Sequence, residues 1–305
     1  MPTKITQFVF FANYFIGLLA VALSVETVVQ LALPFNTVYY YLFLFSVTVL
    51  YYTRAYITPS VKINTTNPRT VWYKQHHDFI YKSQIVLLIM CIILSVIEFV
   101  PVYRSLFHLP FFYITAILTV PSAAILYYGL LPQSKFRLNL RRTGWLKPFV
   151  IGYVWAGCVS LFPVVVLMAQ LDVHIKEPGF LLWLFIKNWM FCTVNAIMFD
   201  LKDYADDANK ALKTFVVQFG LRKTIYFILV PLLLIGFLSF IIFAVYNHFG
   251  LVPVLINLIP FICLLYVAFS LHQRKPILYY LIVIDGLLLV KAICGITSML
   301  VRSYL

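Results

Sequence analysis

The chain has 305 residues, of which 63% are hydrophobic and 11% are charged. So much apolar surface excludes a water-soluble domain and indicates a polytopic integral membrane protein. The formal net charge of +13 would suit nucleic acid binding in a soluble protein. In a membrane protein the positions of the cations matter more than their sum, so we expect no nucleic acid partner.

Nine apolar runs are long enough to cross about 30 Å of hydrocarbon. They lie at residues 8–31, 36–57, 83–102, 107–131, 147–171, 179–199, 223–247, 250–271 and 277–301. The first run is longer than the core of a signal peptide and lacks a small-residue cleavage site, so we expect it to be a spanning helix. We therefore predict an all-α fold in which residues 1–305 form a single domain of nine transmembrane helices around a central cavity.

The basic residues predict the orientation of this domain. Eighteen of the 23 Lys and Arg residues fall on the side of the N-terminus, three fall on the other side, and two lie within helices. Because cytoplasmic loops carry the excess of Lys and Arg, we expect a cytoplasmic N-terminus and a C-terminus on the opposite side, as in a bacterial inner membrane.

The segment after the sixth run is rich in carboxylates. On an ideal helix Asp200, Asp203 and Asp207 share a sector of about 60°, where like charges repel. A Mg²⁺ ion, which typically binds one or two carboxylates plus substrate phosphates, would remove that repulsion. The alternative is a solvated acidic helix start with neighbouring lysines as partners.

This segment resembles the second aspartate motif of the UbiA family of intramembrane prenyltransferases. The spacing Asp200-x-x-Asp203-x-x-x-Asp207 is followed by Lys213-Thr214, an apolar run and Gly220. Ala211 stands where the family usually has glycine. The similarity covers about 26 residues in the motif and the whole chain in topology.

The resemblance implies a function and the residues that perform it. Asp200, Asp203 and Asp207 would be catalytic residues holding Mg²⁺ against a prenyl diphosphate, with Lys202 and Lys213 on the diphosphate oxygens. The prenyl tail would run between helices toward membrane lipid. The prenyl group would then pass to an acceptor that the sequence does not identify.

The family's first aspartate motif, expected between the second and third helices, is absent. The sequence has no carboxylate between Glu26 and Asp78. The same region carries Arg54, Arg69 and Lys74. A guanidinium binds phosphate with two hydrogen bonds and a fixed charge, so these cations are candidate replacements for one metal ion.

The loss of that motif leaves alternatives open. One is an active one-metal enzyme, and a cyclase-like variant would ionise the diphosphate without any acceptor. Another is a non-catalytic protein of the same fold that binds isoprenoid or lipid. A transporter would need inverted repeats or broken helices, and neither is clear. The oligomeric state is not predicted.

Several polar residues lie inside the apolar runs. Asn188 and Asn195 are seven residues apart and share a helix face, so we expect them to line the cavity. Lys187 is a candidate substrate-binding residue, because ionisable groups inside the membrane are costly and usually functional. Asp285 and Lys291 point in different directions on one helix, so each is expected to find a partner on a neighbouring helix.

Overall fold

The computed structural model describes residues 3–57, 67–128, 144–204, 212–273 and 275–304, and these form an α-helical bundle. In chain order the helices are α1 (Lys4–Phe11), α2 (Tyr14–Gln30), α3 (Val38–Ile57), α4 (Pro68–Gln75), α5 (His77–Phe99), α6 (Tyr103–Phe107), α7 (Phe111–Tyr128), α8 (Lys147–Leu171), α9 (Pro178–Lys202), α10 (Phe215–Phe219), α11 (Leu221–Tyr246), α12 (Leu251–Ser270) and α13 (Ile277–Arg302, with helical structure to Tyr304).

The described helices confirm a polytopic membrane protein. Six of them, α5, α8, α9, α11, α12 and α13, are long and apolar enough to cross a membrane, and the bent pair α1–α2 makes seven if it is one span. The other two predicted spans coincide with α3 and α7, which fall outside that criterion. Six tyrosines and Arg54 lower the hydropathy of α3, and α7 is shorter.

The first predicted span is broken rather than continuous. Helices α1 and α2 meet at an angle of 60°, and Asn13 at the break adopts a left-handed conformation with φ 66°. Asparagine tolerates this region better than most residues because its side chain forms local hydrogen bonds. Here the Asn13 amide donates to Thr53 Oγ1 at 3.0 Å and to Tyr73 Oη at 3.2 Å. The break is therefore tied to α3 and α4.

Three spans contain a π-helical turn. The turns are Gly157–Leu161 in α8, Ile225–Leu229 in α11 and Tyr280–Ile284 in α13. Such turns insert one extra residue and change the direction of the side chains that follow, often at functional sites. The turn in α13 immediately precedes Asp285, which therefore faces the interior of the bundle.

Helix α9 is central to the packing. It packs against α8 along much of its length, and α13 packs against both α2 and α12. Because α8 and α9 are sequential and antiparallel, the first residue of α8 lies beside the last turn of α9. Gly144, just before α8, has no room for a side chain because the backbone of Lys213 lies against it. The segment that precedes α8 therefore lies against the segment that precedes α10.

Candidate active site

A polar pocket of about 220 Å³ lies at the end of α9. Its wall comes from α2, α3, α4, α7, α8, α9 and α13, so residues far apart in sequence meet there. Its charged members are Arg69, Lys147, Asp200, Lys202, Asp203 and Asp285. Three cations and three carboxylates thus line one small cavity.

Asp200 is the more deeply buried of the two described acids of the predicted motif. Its side chain is 2% exposed, and its Oδ1 atom lies 2.5 Å from Lys147 Nζ. Lys147 is the first residue of α8, and Asp200 lies in the last turn of α9. Removing one partner of a buried ion pair leaves an uncompensated charge at high cost. Each charge therefore holds the other in the pocket wall.

Asp203 lines the same pocket but is more accessible. It ends α9, and its Oδ1 atom lies 3.2 Å from Lys202 Nζ, with side chains 39% and 21% exposed. Asp203 and Lys202 are thus the solvent-facing pair of the pocket. Asp207 lies outside the described residues, so its predicted place in the triad is untested.

Arg69 is buried beside these acids, yet its described hydrogen bonds all go to neutral oxygens. Its Nε and Nη2 atoms donate to the Phe11 carbonyl at 3.1 and 2.8 Å, Nη2 donates to Asn13 Oδ1 at 2.5 Å, and Nη1 donates to Tyr56 Oη at 3.0 Å. The guanidinium also lies 4.3 Å from the centroid of the Tyr56 ring. The break between α1 and α2 therefore fixes a cation in the pocket wall without neutralising it.

Tyr73 also attaches α4 to the break between α1 and α2. Its hydroxyl donates to the Phe11 carbonyl at 2.9 Å, and burial raises the pKa of Tyr73 to about 12. The phenol therefore stays protonated at physiological pH. It can continue to donate to a carbonyl that α1, ending at Phe11, leaves without a helical partner.

Asn195 and Asp285 line another part of the pocket wall. The Asn195 amide donates to the carbonyl of Ile284 at 3.0 Å, which is the last residue of the π turn in α13. Asp285 follows directly and is 6% exposed. Its Oδ2 atom is buried and receives no hydrogen bond within the part of the chain that the structure describes.

A larger cavity of about 660 Å³ adjoins the polar pocket. Helices α3, α7 and α8 provide most of its wall, which is almost entirely apolar. Four residues line both cavities: Tyr52, Tyr127, Ile151 and Trp155. At this junction the Trp155 indole donates to Tyr52 Oη at 2.6 Å. A charged pocket thus shares part of its wall with an apolar chamber, a combination that suits a molecule with an anionic head and an apolar tail.

Five predicted site residues lie away from this pocket. Arg54, Lys74 and Lys213 are exposed, and Lys187 and Asn188 are buried outside either cavity. Lys187 Nζ lies 3.4 Å from Asn257 Oδ1 and 5.0 Å from the Trp183 ring centroid. Asn188 donates to Ser160 Oγ at 2.7 Å. Of the predicted residues, the pocket brings together Asp200, Asp203, Asn195, Lys202 and Arg69.

The donor set of the pocket suits Mg²⁺ bound jointly with a phosphate. Two carboxylates, Asp200 and Asp203, line the pocket, and Mg²⁺ typically takes one or two carboxylates plus substrate oxygens. Among the described residues no three His, Cys, Asp or Glu side chains are grouped closely enough to hold a metal ion by themselves. The pocket therefore fits a metal ion that arrives with a phosphorylated ligand.

Sequence reasoning missed Lys147 and Asp285. The start of α8 and the end of α9 must lie on one side of the membrane, so Lys147 was identifiable as a neighbour of Asp200. The sequence predicts for Asp285 a partner on a neighbouring helix, but its buried Oδ2 atom has no hydrogen bond from a described residue and the side chain lines the pocket. Only the path of α13 past the end of α9 reveals its position.

A comparison with protein families gives the class of this molecule. Residues 82–277 match the model of the UbiA prenyltransferase family. The match covers more than half of the chain, and the chain therefore belongs to this family. It begins at residue 82, after the region in which the first aspartate motif is expected. No curated protein matches the chain significantly.

A solved structure supports the fold. It is described as "Structural and mechanistic insights into the biosynthesis of Digeranylgeranylglyceryl phosphate synthase in membranes". The alignment covers 97% of this chain and 98% of the other, with a TM-score of 0.53 and 14% sequence identity. At that identity the similarity shows the fold alone.

Proposed function

We propose that this protein transfers a prenyl group from a prenyl diphosphate to a nucleophilic acceptor. The observation that carries the proposal is that the polar pocket and the apolar chamber share part of their walls. A prenyl diphosphate has about three negative charges at one end and a hydrocarbon chain at the other. Its head matches the pocket and its tail matches the chamber, so the reacting C–O bond would lie near Tyr52 and Trp155.

The three cations of the pocket would bind the head. Arg69 is held by neutral partners and keeps its full charge for the diphosphate. Lys147 and Lys202 are paired with acids and can reach toward phosphate oxygens when a metal ion takes over those acids. Cations placed where charge develops on the leaving group stabilise the transition state. Of the cations that stand in place of the first aspartate motif, Arg69 is the one for which we propose this role.

Mg²⁺ is the cofactor that we propose, held by Asp200 and Asp203 together with the diphosphate. Asp207 is a proposed third ligand beyond the described residues. The metal ion would supply charge neutralisation at the leaving group. The burial of Asp200 fixes one ligand, whereas the greater exposure of Asp203 leaves the other free to adjust.

The apolar chamber would protect the reactive group. Ionisation of the C–O bond gives an allylic carbocation, which water would capture unless water is excluded. The rings of Tyr52 and Trp155 at the junction can stabilise such a cation through their faces. The indole–hydroxyl hydrogen bond holds both rings in place. The acceptor would enter this junction from the side opposite the leaving diphosphate.

The membrane arrangement that we propose has nine spans, with α3 and α7 added to the seven that length and composition identify. The N-terminus would be cytoplasmic, because Lys and Arg are concentrated on its side. This orientation puts the polar pocket at the cytoplasmic edge, where a soluble phosphorylated head can enter. Fusion of a reporter to each terminus tests this arrangement.

The test of function is incubation of purified protein in detergent or nanodiscs with Mg²⁺ and prenyl diphosphates of C10, C15 and C20. Diphosphate release and lipid products are measured with and without phenolic and alcoholic acceptors. We expect release that requires Mg²⁺ and falls at least about 100-fold in Asp203→Ala, since metal-site residues stabilise the transition-state charge. Asp78→Ala is the matched control, because the Asp78 side chain is 95% exposed.

The possible results separate the alternatives. An unchanged rate in Asp203→Ala would show that the reaction occurs elsewhere. Saturable binding of a prenyl diphosphate without release in the wild type would identify a non-catalytic isoprenoid-binding protein. Release accompanied only by cyclic or eliminated hydrocarbons would identify a cyclase-like protein.

A further inference from the structure

Asp285 is a buried carboxylate that the binding of a diphosphate does not explain. It belongs to α13, whereas the metal-binding acids belong to α9. It is 6% exposed, lines the polar pocket, and has a buried Oδ2 atom without a hydrogen bond from any described residue. A buried acid with a structural role is normally satisfied by donors, and an unsatisfied one destabilises the fold.

The local backbone places this acid in the pocket. The π turn Tyr280–Ile284 immediately precedes Asp285, and Asn195 of α9 binds the carbonyl of Ile284. One hydrogen bond thus ties α13 to the helix that carries the metal-binding acids. A buried acid that lowers stability, on a backbone that a hydrogen bond from a neighbouring helix holds in place, is typical of a functional group.

The surroundings of Asp285 are mixed. Leu281 and Leu288 of its own helix, Phe199 of α9 and Ile16 of α2 are among the apolar members of the pocket wall. The charged or titratable groups lining the same pocket are Arg69 of α4, Lys147 of α8, Cys192, Asp200 and Lys202 of α9 with Asp203 just after it, Tyr52 and Tyr56 of α3, and Tyr127 of α7. None of the described cations forms an ion pair with Asp285, whereas Lys147 and Lys202 pair with Asp200 and Asp203. The carboxylate of Asp285 is therefore left available to a ligand.

We propose that Asp285 is a catalytic base that accepts the proton of the acceptor during prenyl transfer, an inference that rests on the proposed function. The C–O bond of the prenyl diphosphate breaks and its electron pair leaves with the diphosphate. An electron pair of the acceptor forms the new bond to the prenyl carbon. The proton lost by the acceptor, from an O–H or an aromatic C–H, moves to a carboxylate oxygen of Asp285. Charge and atoms balance without any redox partner.

This assignment divides the acids of the pocket between two tasks. Asp200 and Asp203, beside their lysines, face the leaving diphosphate. Asp285 faces the same cavity from α13 and is not part of a three-acid cluster with them. A base for the acceptor has to be separate from the groups that bind the metal ion, because a carboxylate bound to a metal ion has lost most of its basicity.

The experiment compares wild type, Asp285→Asn and Asp285→Glu. Geranylgeranyl diphosphate with Mg²⁺ is the probe for binding, followed by quenching of tryptophan fluorescence, since Trp155 lines both cavities. Turnover is measured with the phenol or alcohol that gives the highest wild-type rate. General-base catalysis typically contributes about 10²–10⁴-fold. For Asp285→Asn we expect an unchanged Kd, within about twofold, and a product-forming rate lowered at least about 100-fold. Asp285→Glu restores part of that rate.

Two further readouts distinguish this role from a structural one. The melting temperature of Asp285→Asn is expected to equal or exceed that of the wild type, because the amide removes an unpaired buried charge. Prenyl alcohol is expected to rise as a share of all products, since a cation that the acceptor does not capture reacts with water. Asp172→Asn, on the opposite side of the bundle, is the matched control.

The results of this experiment distinguish failure of the proposed role of Asp285 from failure of the proposed transferase function. A wild type that binds the probe and forms no transfer product overturns the transferase and this role with it. A wild type that forms product, with Asp285→Asn retaining more than a third of the rate, overturns this role alone. A fall in melting temperature together with loss of probe binding in both variants would show that Asp285 supports the fold, and would also overturn it.

Discussion

Lys147 Nζ lies 2.5 Å from Asp200 Oδ1, and this ion pair joins the first residue of α8 to the last turn of α9. Both residues line the polar pocket. The ion pair also holds Asp200, a proposed metal ligand, next to Lys147, a proposed diphosphate-binding residue, before any ligand arrives. The pair therefore couples the stability of the bundle to the proposed chemistry.

Lys147→Gln is expected to lower both stability and diphosphate affinity. Breaking a buried ion pair by removing one partner typically costs about 3–5 kcal/mol, and the Asp200 side chain is 2% exposed. Thermal unfolding in detergent measures the first effect, and binding of geranylgeranyl diphosphate measures the second.

The double variant Lys147→Gln, Asp200→Asn separates the two effects. Neutralising both partners removes the buried charge, so the melting temperature is expected to recover while affinity does not. Lys82→Gln, an exposed lysine on α5, is the matched control. Recovery of affinity in the double variant would mean that Lys147 does not touch the diphosphate.

Arg69→Lys tests whether the guanidinium is required. A lysine cannot donate simultaneously to the Phe11 carbonyl, Asn13 and Tyr56 as Arg69 does, although it keeps the charge. We expect a lower melting temperature and about tenfold weaker binding of the C20 diphosphate. Equal affinity of the wild type and Arg69→Lys for the C20 diphosphate would show that only the positive charge at this position matters. The planar guanidinium geometry would then have no role in binding.

The sequence predicts the fold better than it predicts the site. Nine apolar runs coincide with helices because hydrophobic length is a property of single segments. The sequence places Asp200 and Asp203 together because they are only three residues apart. Lys147, Arg69 and Asp285 reach the same pocket from three other helices, and only the packing of the bundle brings them together. Arg54, Lys74 and Lys213 carry the same charge as Arg69 and Lys147, and composition cannot tell an exposed cation from a buried one.

The pH dependence of stability is expected to report on Tyr73. Burial raises its pKa from 10.0 to about 12, so folding favours the protonated phenol. Its contribution is complete below pH 10 and is lost as pH rises through 12, at up to about 1.4 kcal/mol per pKa unit. Denaturation of wild type and Tyr73→Phe between pH 8 and 12 measures it.

The difference in the free energy of unfolding between the wild type and Tyr73→Phe isolates the contribution of Tyr73 from that of the other groups that titrate in this range. We expect the advantage of the wild type over Tyr73→Phe to shrink as the pH rises from 10 to 12. Tyr81→Phe is the matched control, since Tyr81 is 54% exposed. A constant difference across this range would contradict the assigned burial.

The ion pair between Lys291 and Glu26 is expected to stabilise the fold without entering the reaction. Its atoms are 2.5 Å apart, both side chains are at most 2% exposed, and Gln30 donates to Glu26 at 3.0 Å. The pair lies outside both cavities. Lys291→Met should cost about 3–5 kcal/mol and leave the activity per folded molecule unchanged.

Replacing both partners gives the complementary result. In Glu26→Leu, Lys291→Met the buried charges are gone, and two apolar side chains take their place between α2 and α13. We expect the double variant to be more stable than Lys291→Met alone. A loss of turnover by the folded double variant would assign this pair a part in the reaction.

The length of the prenyl chain is expected to depend on the volume of the apolar chamber. Cys158 lines this cavity of about 660 Å³ and lies away from the charged pocket. Cys158→Phe adds a ring to the wall, so it should reduce the rate with the C20 diphosphate by about tenfold or more relative to the C10 diphosphate. Inorganic diphosphate, which has no tail, should compete equally well in both proteins.

Cys91→Phe is the matched control, because Cys91 lies on α5 outside both cavities. If Cys158→Phe changed the rates with the C10 and C20 diphosphates equally, the prenyl tail would have to lie elsewhere. The shared wall of the pocket and the chamber would then no longer support the proposed function.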